Sequence, residues 1–341
     1  MRKVLFFVVL SIGLLGSCNR SDDASLVGVA EPVYIESFDN RAELTPDRTF
    51  KPDFYFNDFS IQDSLVFVSG NNSWEVKNIK DCKTIKKIFS IGHAATEFLY
   101  QIPWTYNGNF YEKDGDLHLV TYDFGKGSVY ETNVTKTLSS DSLCIELVKY
   151  RVPKHSRYFY IDSTEFVIRE STRTECPKVL THFKNGDIVQ NKYFDRLNAV
   201  NTGVKDDWNI LASVETFSRK HNVIAQSYLF FNVINVIPLD DSMKAYTLCV
   251  GKKGESLSNV VNVSTRKDYF CDIRAYDEFF AVLYIEDKAR PSVLLFTYDG
   301  KPIREYVLRN PATSFDIDMN EQILYTYDFE DGMMTCYKLR E

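Results

Sequence analysis

The sequence predicts an all-β chain folded as a six-bladed β-propeller, and three observations carry that reading. Aromatic residues make up 14% of the chain, with 21 Tyr and 25 Phe. They fall in Val-, Ile- and Phe-rich runs of the kind that pleated sheets favour. A local pattern of an acidic or amide residue, a turn residue and a dense apolar strand recurs six times, at intervals of 51, 48, 44, 71 and 43 residues. Strand-built repeats of about 40–50 residues are the mark of propeller blades. After the N-terminal leader, no helical period of any length stands out.

The leader occupies residues 1–17. Arg2 and Lys3 precede an apolar run of 12 residues, Val4 to Leu15. A secretory core needs about 7–15 such residues, whereas a spanning helix needs about 20. Leu15-Gly16-Ser17-Cys18 follows and resembles the bacterial lipobox, in which the cysteine thiol is acylated and the bond before it is cut. The competing reading is an ordinary secretory leader with a chance cysteine. Two or three acyl chains on one cysteine anchor durably, because each buried CH₂ contributes about 0.8 kcal/mol. Asn19 after the cysteine argues against inner-membrane retention. Ser21-Asp22-Asp23 is similar to the acidic export signal of surface lipoproteins in certain Gram-negative gut anaerobes; the alternative is a plain polar tether. The expectation is an outer-membrane lipoprotein, palmitate-type acylated at Cys18 and facing the periplasm or the cell surface. Residues 18–28 form its flexible tether and 29–341 its propeller domain.

The repeat begins at Asp63 in "QDSLVFVSG", Asp114 in "KDGDLHLVTY" and Asp162 in "IDSTEFVIRE". It returns at Asp206 in "KDDWNILASV", Asp277 in "YDEFFAVLYIED" and Asn320 in "MNEQILYTYDF". Leu65–Val68 and Phe279–Leu283 are continuous apolar runs, as expected for strands buried on both faces. Blades packed between two neighbours bury both faces; the rival architecture, two β-sandwich domains, leaves one wet. Asn185-Gly186 and Asp299-Gly300 supply tight hairpin turns. The long fourth interval holds "SYLFFNVINVIPLDDSMK", read either as a lengthened hairpin packed on its blade or as an exposed apolar flap for a partner.

The final repeat, from near Pro311, has room for about three strands of 5–6 residues. A four-stranded blade therefore lacks its outer strand. Residues 29–38, "VAEPVYIESF", carry Val33, Tyr34, Ile35 and Phe38 and are expected to supply it, closing the ring from the N-terminus.

The C-terminal stretch "LLFTYDGKPIREYVLRNPATSFDIDMNEQILYTYDFEDGMMTCYKL" resembles the closing blades of the TolB-like six-bladed propeller lipoproteins. "IFSIGHAATEFLY" at 88–100 is similar to that family's glycine-and-glutamate stretch after the first blade, without its second glycine and proline. The resemblance implies fold and lipidation and a partner-binding role by analogy, and it carries no active-site residues across.

Composition excludes several classes. The formal charge of −7 is unsuited to neutralising phosphates, so nucleic acid is not an expected partner. "KTIKK" at 83–87 reads as a solvated strand edge. Cys82, Cys144, Cys176, Cys249, Cys271 and Cys336 are scattered without a CxxC pair, mostly free in strands, with room for one bridge. No GxSxG, HExxH, Walker A or GxGxxG string occurs. His93, His118, His155, His182 and His221 are isolated. "GKKGES" at 251–256 reads as a turn between blades. Asp316, Asp318 and Asn320 begin like a calcium loop, but Glu321 and Tyr327 occupy the positions that need Gly and Glu. Trp74, Trp104 and Trp208 are candidates for packing or for stacking on sugars or peptides. No catalytic residue, cofactor or metal ligand is assigned. The expected function is non-enzymatic binding of a protein, peptide or glycan, with membrane lipid held through Cys18. The rival is a propeller hydrolase of lactonase or glycosidase type with its site at the central channel.

Overall fold

A computed structural model describes residues 23–52, 58–70, 73–94, 96–99, 109–123, 125–152, 157–170, 179–204 and 210–339. The leader, Cys18, Asp22, Trp104, Trp208, Asp206, His155 and Cys176 lie outside them. The N-terminal segment provides α1 (Ala24–Val27), β1 (Pro32–Ile35), β2 (Arg41–Glu43) and β3 (Arg48–Phe50). The first blade is β4 (Asp58–Gln62), β5 (Leu65–Gly70), β6 (Ser73–Asn78) and β7 (Thr84–Ser90). The second is β8 (Phe110–Lys113), β9 (Asp116–Asp123), β10 (Ser128–Asn133) and β11 (Ile145–Tyr150), with α2 (Val134–Ser139) before its last strand. The third is β12 (Arg157–Tyr160), β13 (Glu165–Glu170), β14 (Val179–Lys184) and β15 (Asp187–Val189), followed by α3 (Lys192–Asn198). The fourth is β16 (Ser213–Ser218), β17 (Val223–Tyr228), β18 (Val233–Pro238) and β19 (Tyr246–Val250), followed by α4 (Leu257–Val261). The fifth is β20 (Phe270–Ala275), β21 (Phe279–Tyr284), β22 (Ser292–Thr297) and β23 (Pro302–Val307). The sixth has β24 (Ser314–Asp318), β25 (Ile323–Asp328) and β26 (Met333–Lys338) from its own repeat.

Each blade is an antiparallel meander in chain order, with its first strand innermost. Six apolar clusters fill the six spaces between neighbouring blades. Phe67 and Trp74 meet Leu119 between the first and second; Tyr122 meets Tyr158 and Phe166 between the second and third. Phe159 and Val167 meet Phe217 and Ile224, and Val236 meets Phe280. Leu283 meets Phe315 and Leu324 between the fifth and sixth, and Tyr325 and Tyr327 meet Phe59 and Ile61 across the closure. Every blade therefore buries both faces, which explains the continuous apolar runs: Val66, Phe67 and Val68, and Phe280 to Leu283, are all buried. Full burial of one such side chain is worth about 1.5–3 kcal/mol.

The repeat marks a definite place. Asp63, Asp114, Asp162, Asp277 and Asn320 all sit in the turn between the first and second strands of their blades. Asp63 and Asp114 adopt φ of 52° and 54°, tolerated by Asp because its short polar side chain bonds locally. The fourth repeat needs correction. The corresponding turn of the fourth blade is 219–222, between β16 and β17, so the register assigned at Asp206 does not match it. Once it is placed there, the long fourth interval disappears. Tyr228–Ile237 is an ordinary buried hairpin, not an exposed flap. Asn185-Gly186 makes the expected hairpin, with φ of 55° and 90°. At Asp299-Gly300 only the glycine takes positive φ, 86°, in a longer loop closed by the Thr297 amide on the Lys301 carbonyl.

The ring is closed by an N-terminal strand, though not the expected one. β3 pairs antiparallel with β26 as the outer strand of the sixth blade, with Thr49 opposite Thr335. β1, within the 29–38 segment expected to close the ring, instead adds parallel to β19 on the fourth blade. β2 adds parallel to β23 on the fifth. Chain distance explains the difference: β3 lies just before β4, so a short connection suffices, and short connections prevail. Residues 23–50 thus form a belt around three blades. The tether expected over 18–28 is docked from Asp23 onward: Ala24 and Val27 are buried among Ile210, Tyr228, Phe231 and Val260. Gly28 is required there, because a Cβ would lie 3.0 Å from the Ala24 and Ala30 carbonyl oxygens.

Candidate functional site

The inner strands line a central channel that is tied together by buried polar groups. Asp272 and Arg274 leave β20 on the channel side. The Arg274 guanidinium, fully buried, donates to Asp272 at 2.9 Å, to Ser314 Oγ at 3.1 Å and to the Phe59 carbonyl at 3.2 Å. One side chain thus joins the fifth, sixth and first blades. On the opposite side Glu215 is flanked by Arg157 at 3.2 Å and by Arg169, and accepts from Ser213 Oγ at 2.6 Å. Buried charges of this kind persist only when paired and hydrogen-bonded.

Asp316 completes the set. Its Oδ2 accepts from the Ile61 amide at 2.8 Å and its Oδ1 from the Tyr276 hydroxyl at 2.8 Å. Burial pushes its carboxyl above the usual range, opposed by the nearby Arg274 and those hydrogen bonds, and burial also drives the Tyr276 phenol up. The alternation read from "FDID" holds, with Phe315 and Ile317 in the apolar cluster and both aspartates facing the channel.

One mouth of this channel is the candidate site. The turns after β4, β16, β20 and β24 wall a cavity of about 400 Å³, with Phe110 of the second blade contributing. Its charged lining is Asp63, Asp277, Glu278, Asp316 and Asp318 against Arg219 and Lys220. Both cations are engaged. Lys220 pairs with Glu278 and holds that carboxyl below its usual range. Arg219 donates to the carbonyls of Tyr160 (2.9 Å) and Ile161 and lies 4.6 Å over the Tyr111 ring. Asp63 accepts from the Asn320 side-chain amide, Nδ2, at 2.8 Å. Asp318 is 2% exposed. Its Oδ1 accepts from the amides of Asn320 and Glu321, both at 3.0 Å, while its Oδ2 is buried with no hydrogen-bond partner among the described residues. The mouth is an acceptor-rich, negatively charged bowl.

Other sequence candidates resolve differently. Trp74 is 2% exposed and packs on Phe89 and Phe98, so it is a core residue. His118 on β9 and His182 on β14 are strand residues satisfied by carboxylates, Glu131 at 2.7 Å and Glu165 at 2.9 Å. Burial lowers the His182 pKa, opposed by Glu165. The His221 Nε2 contacts the Asp277 carbonyl at 2.8 Å while its ring stacks on Tyr298. Among the described residues Cys144, Cys271 and Cys336 are free thiols. Residues 251–256 form the loop from β19 to α4. Among the described residues no group of three His, Cys, Asp or Glu is placed to hold a metal, and no helix is long and apolar enough to cross a membrane. Asp23, one half of the acidic pair after Cys18, accepts from the Leu257 amide at 2.8 Å.

No family model and no curated protein matches the chain. It is similar in structure to Raptor of Chaetomium thermophilum at 13% identity and TM-score 0.46, covering 88% of this chain and 29% of that one. The chain therefore spans less than a third of that protein's length. It is similar to the β-propeller domain of Myceliophteria thermophila Cps50 (Swd1) at 8% identity and TM-score 0.48, covering 87% and 100%. A protein of Bacteroides fragilis NCTC 9343, named only for its inferred export, is 11% identical with TM-score 0.49, covering 91% and 100%.

Proposed function

We propose that this chain is an extracytoplasmic binding propeller, anchored to the outer membrane through acylated Cys18, whose open mouth receives a cationic segment of a protein or peptide. The lipobox-like "LGSC" and the TolB-like C-terminal stretch support the anchor and the partner-binding role. The mouth supports the choice of ligand. Asp318 Oδ2, buried and without a partner at the wall of a 400 Å³ cavity, is the observation that carries it. A buried carboxylate oxygen left unpaired is costly, and a donor arriving with a ligand relieves that cost. The other carboxylates of the rim raise the local concentration of cations.

The experiment is calorimetric titration of the protein with lysine- and arginine-rich tetrapeptides, with an acidic tetrapeptide as control. Affinity for the basic peptides should weaken about tenfold in Asp318→Asn, in line with loss of a charge-assisted hydrogen bond. Equal binding of the acidic and basic peptides, or no response to Asp318→Asn combined with Asp63→Asn, overturns the assignment.

A further inference from the structure

We infer that the propeller stands on the membrane in a fixed orientation, with the face that carries α1 and α4 against the lipid and the acidic mouth turned away from it. The inference rests on the proposal that Cys18 is acylated, and it follows from where the belt begins. Asp23 is tied to Leu257 at the start of α4, and the Ser25 carbonyl accepts from Arg196 at 3.2 Å. Ala24 and Val27 are buried beside Tyr228, Phe231 and Val233. These residues lie where β17 ends and β18 begins. The mouth is at the other end of the same blade, at Ser218 and Arg219. The six residues of β16 separate the two ends by about 17 Å.

From Cys18 to Asp23 the chain reaches at most about 18 Å even when fully extended. An acylated cysteine therefore holds the α4 face within that distance of the headgroups. The mouth, a further strand length away, points outward. The surface beside Asp23 suits this placement. Val263, just past α4, is 72% exposed, and Phe329, at the same end of the sixth blade, is 48% exposed. Lys252 and Lys253 are exposed on the loop leading into α4. Beside α4, Glu286 and Asp268 pair with Lys267 and Lys288, at 2.7 and 2.6 Å, whereas Glu330 and Asp331 are exposed next to Phe329 on the sixth blade. Lys252, Lys253 and the apolar tip at Val263, all next to α4, make this side of the face the one that matches a phospholipid surface.

The test is amide hydrogen exchange on the full lipidated protein in vesicles of phosphatidylethanolamine with a minority of phosphatidylglycerol, compared with soluble Cys18→Ala. Exchange across 251–267 and 329–332 should slow by about threefold or more in vesicles, while 219–222, 277–278 and 319–322 stay unchanged. Inserting about twenty Gly and Ser residues after Cys18 should erase the protection while the protein stays in the membrane. Intact mass is read first. An unmodified Cys18 overturns the anchor and the orientation together. An acylated protein whose mouth turns are protected, or whose two faces respond alike, overturns the orientation alone.

Discussion

Asp316 in the sixth blade accepts the backbone amide of Ile61 in the first, at 2.8 Å, across 255 residues of sequence. With the Tyr276 hydroxyl on its other oxygen, this carboxylate fastens three blades at the point where the ring closes. Replacing it with Ala leaves the Ile61 amide and the Tyr276 hydroxyl without their acceptor. The expected cost of Asp316→Ala is about 2–6 kcal/mol, at about 1–3 kcal/mol for each of the two stranded buried groups. Asp316→Asn, which keeps one acceptor oxygen, should cost less. Denaturant unfolding of both variants checks the order.

Arg274 makes a second prediction. Arg274→Leu strands Asp272 as a buried charge, and breaking such a pair costs about 3–5 kcal/mol. Adding Asp272→Leu should recover a large part of that loss. A double-mutant cycle measured by urea unfolding tests this, and full additivity of the two single changes contradicts it.

Stability should also carry a pH signature from His182. Its pKa is lowered in the folded protein, chiefly by burial, so the unfolded chain binds more protons as pH falls through the ordinary imidazole value of about 6.5. Stability contributed by the neutral imidazole is therefore present above that value and declines below it. His182→Gln should flatten the slope of unfolding free energy between about pH 7 and 5. An unchanged slope in thermal melts across that range counts against it.

The belt separates into two roles. A chain starting at Asn40 retains β2 and β3 and should fold as a closed monomer, but with a lower melting temperature, having lost Val27, Val29 and Ile35 from buried positions. A chain starting at Lys51 also loses β3 and bares the edge of β26. That edge is a template for intermolecular pairing, so this chain should aggregate. Light scattering of the two truncations tells them apart.

Much of the fold was legible because it is written in local patterns. Five of six inner turns carry an Asp or Asn at the predicted place, and the missing outer strand of the last blade was visible as a shortage of residues. The fourth blade misled: its inner turn, Arg219 to Asn222, starts with two cations, and its amide, Asn222 with φ of 52°, runs straight into the strand with no turn residue between. The closing strand was misjudged because Val33, Tyr34 and Ile35 make a stronger strand signal than Arg48, Thr49 and Phe50, and hydrophobic pattern does not say which edge a strand joins. The mouth was barely legible. Asp63, Asp277 and Asp318 lie on separate blades, and only closure of the ring makes them neighbours. Tyr276 and Arg274 gave no signal, since the partners that tie them to other blades lie about 40 residues or more away.

The belt has a consequence in time. Val29 bonds to Asn235 and Thr247, 206 and 218 residues further on, and β2 waits for Glu305 to Val307. At about 5–20 residues per second, synthesis puts those partners on the order of tens of seconds behind. Until then Val29 lacks both hydrogen bonds, and Val27 and Ile35 wait for clusters built from residue 210 onward. The residues that emerge first are among the last to be bound, and any factor that escorts this chain must cover its beginning until its end has arrived.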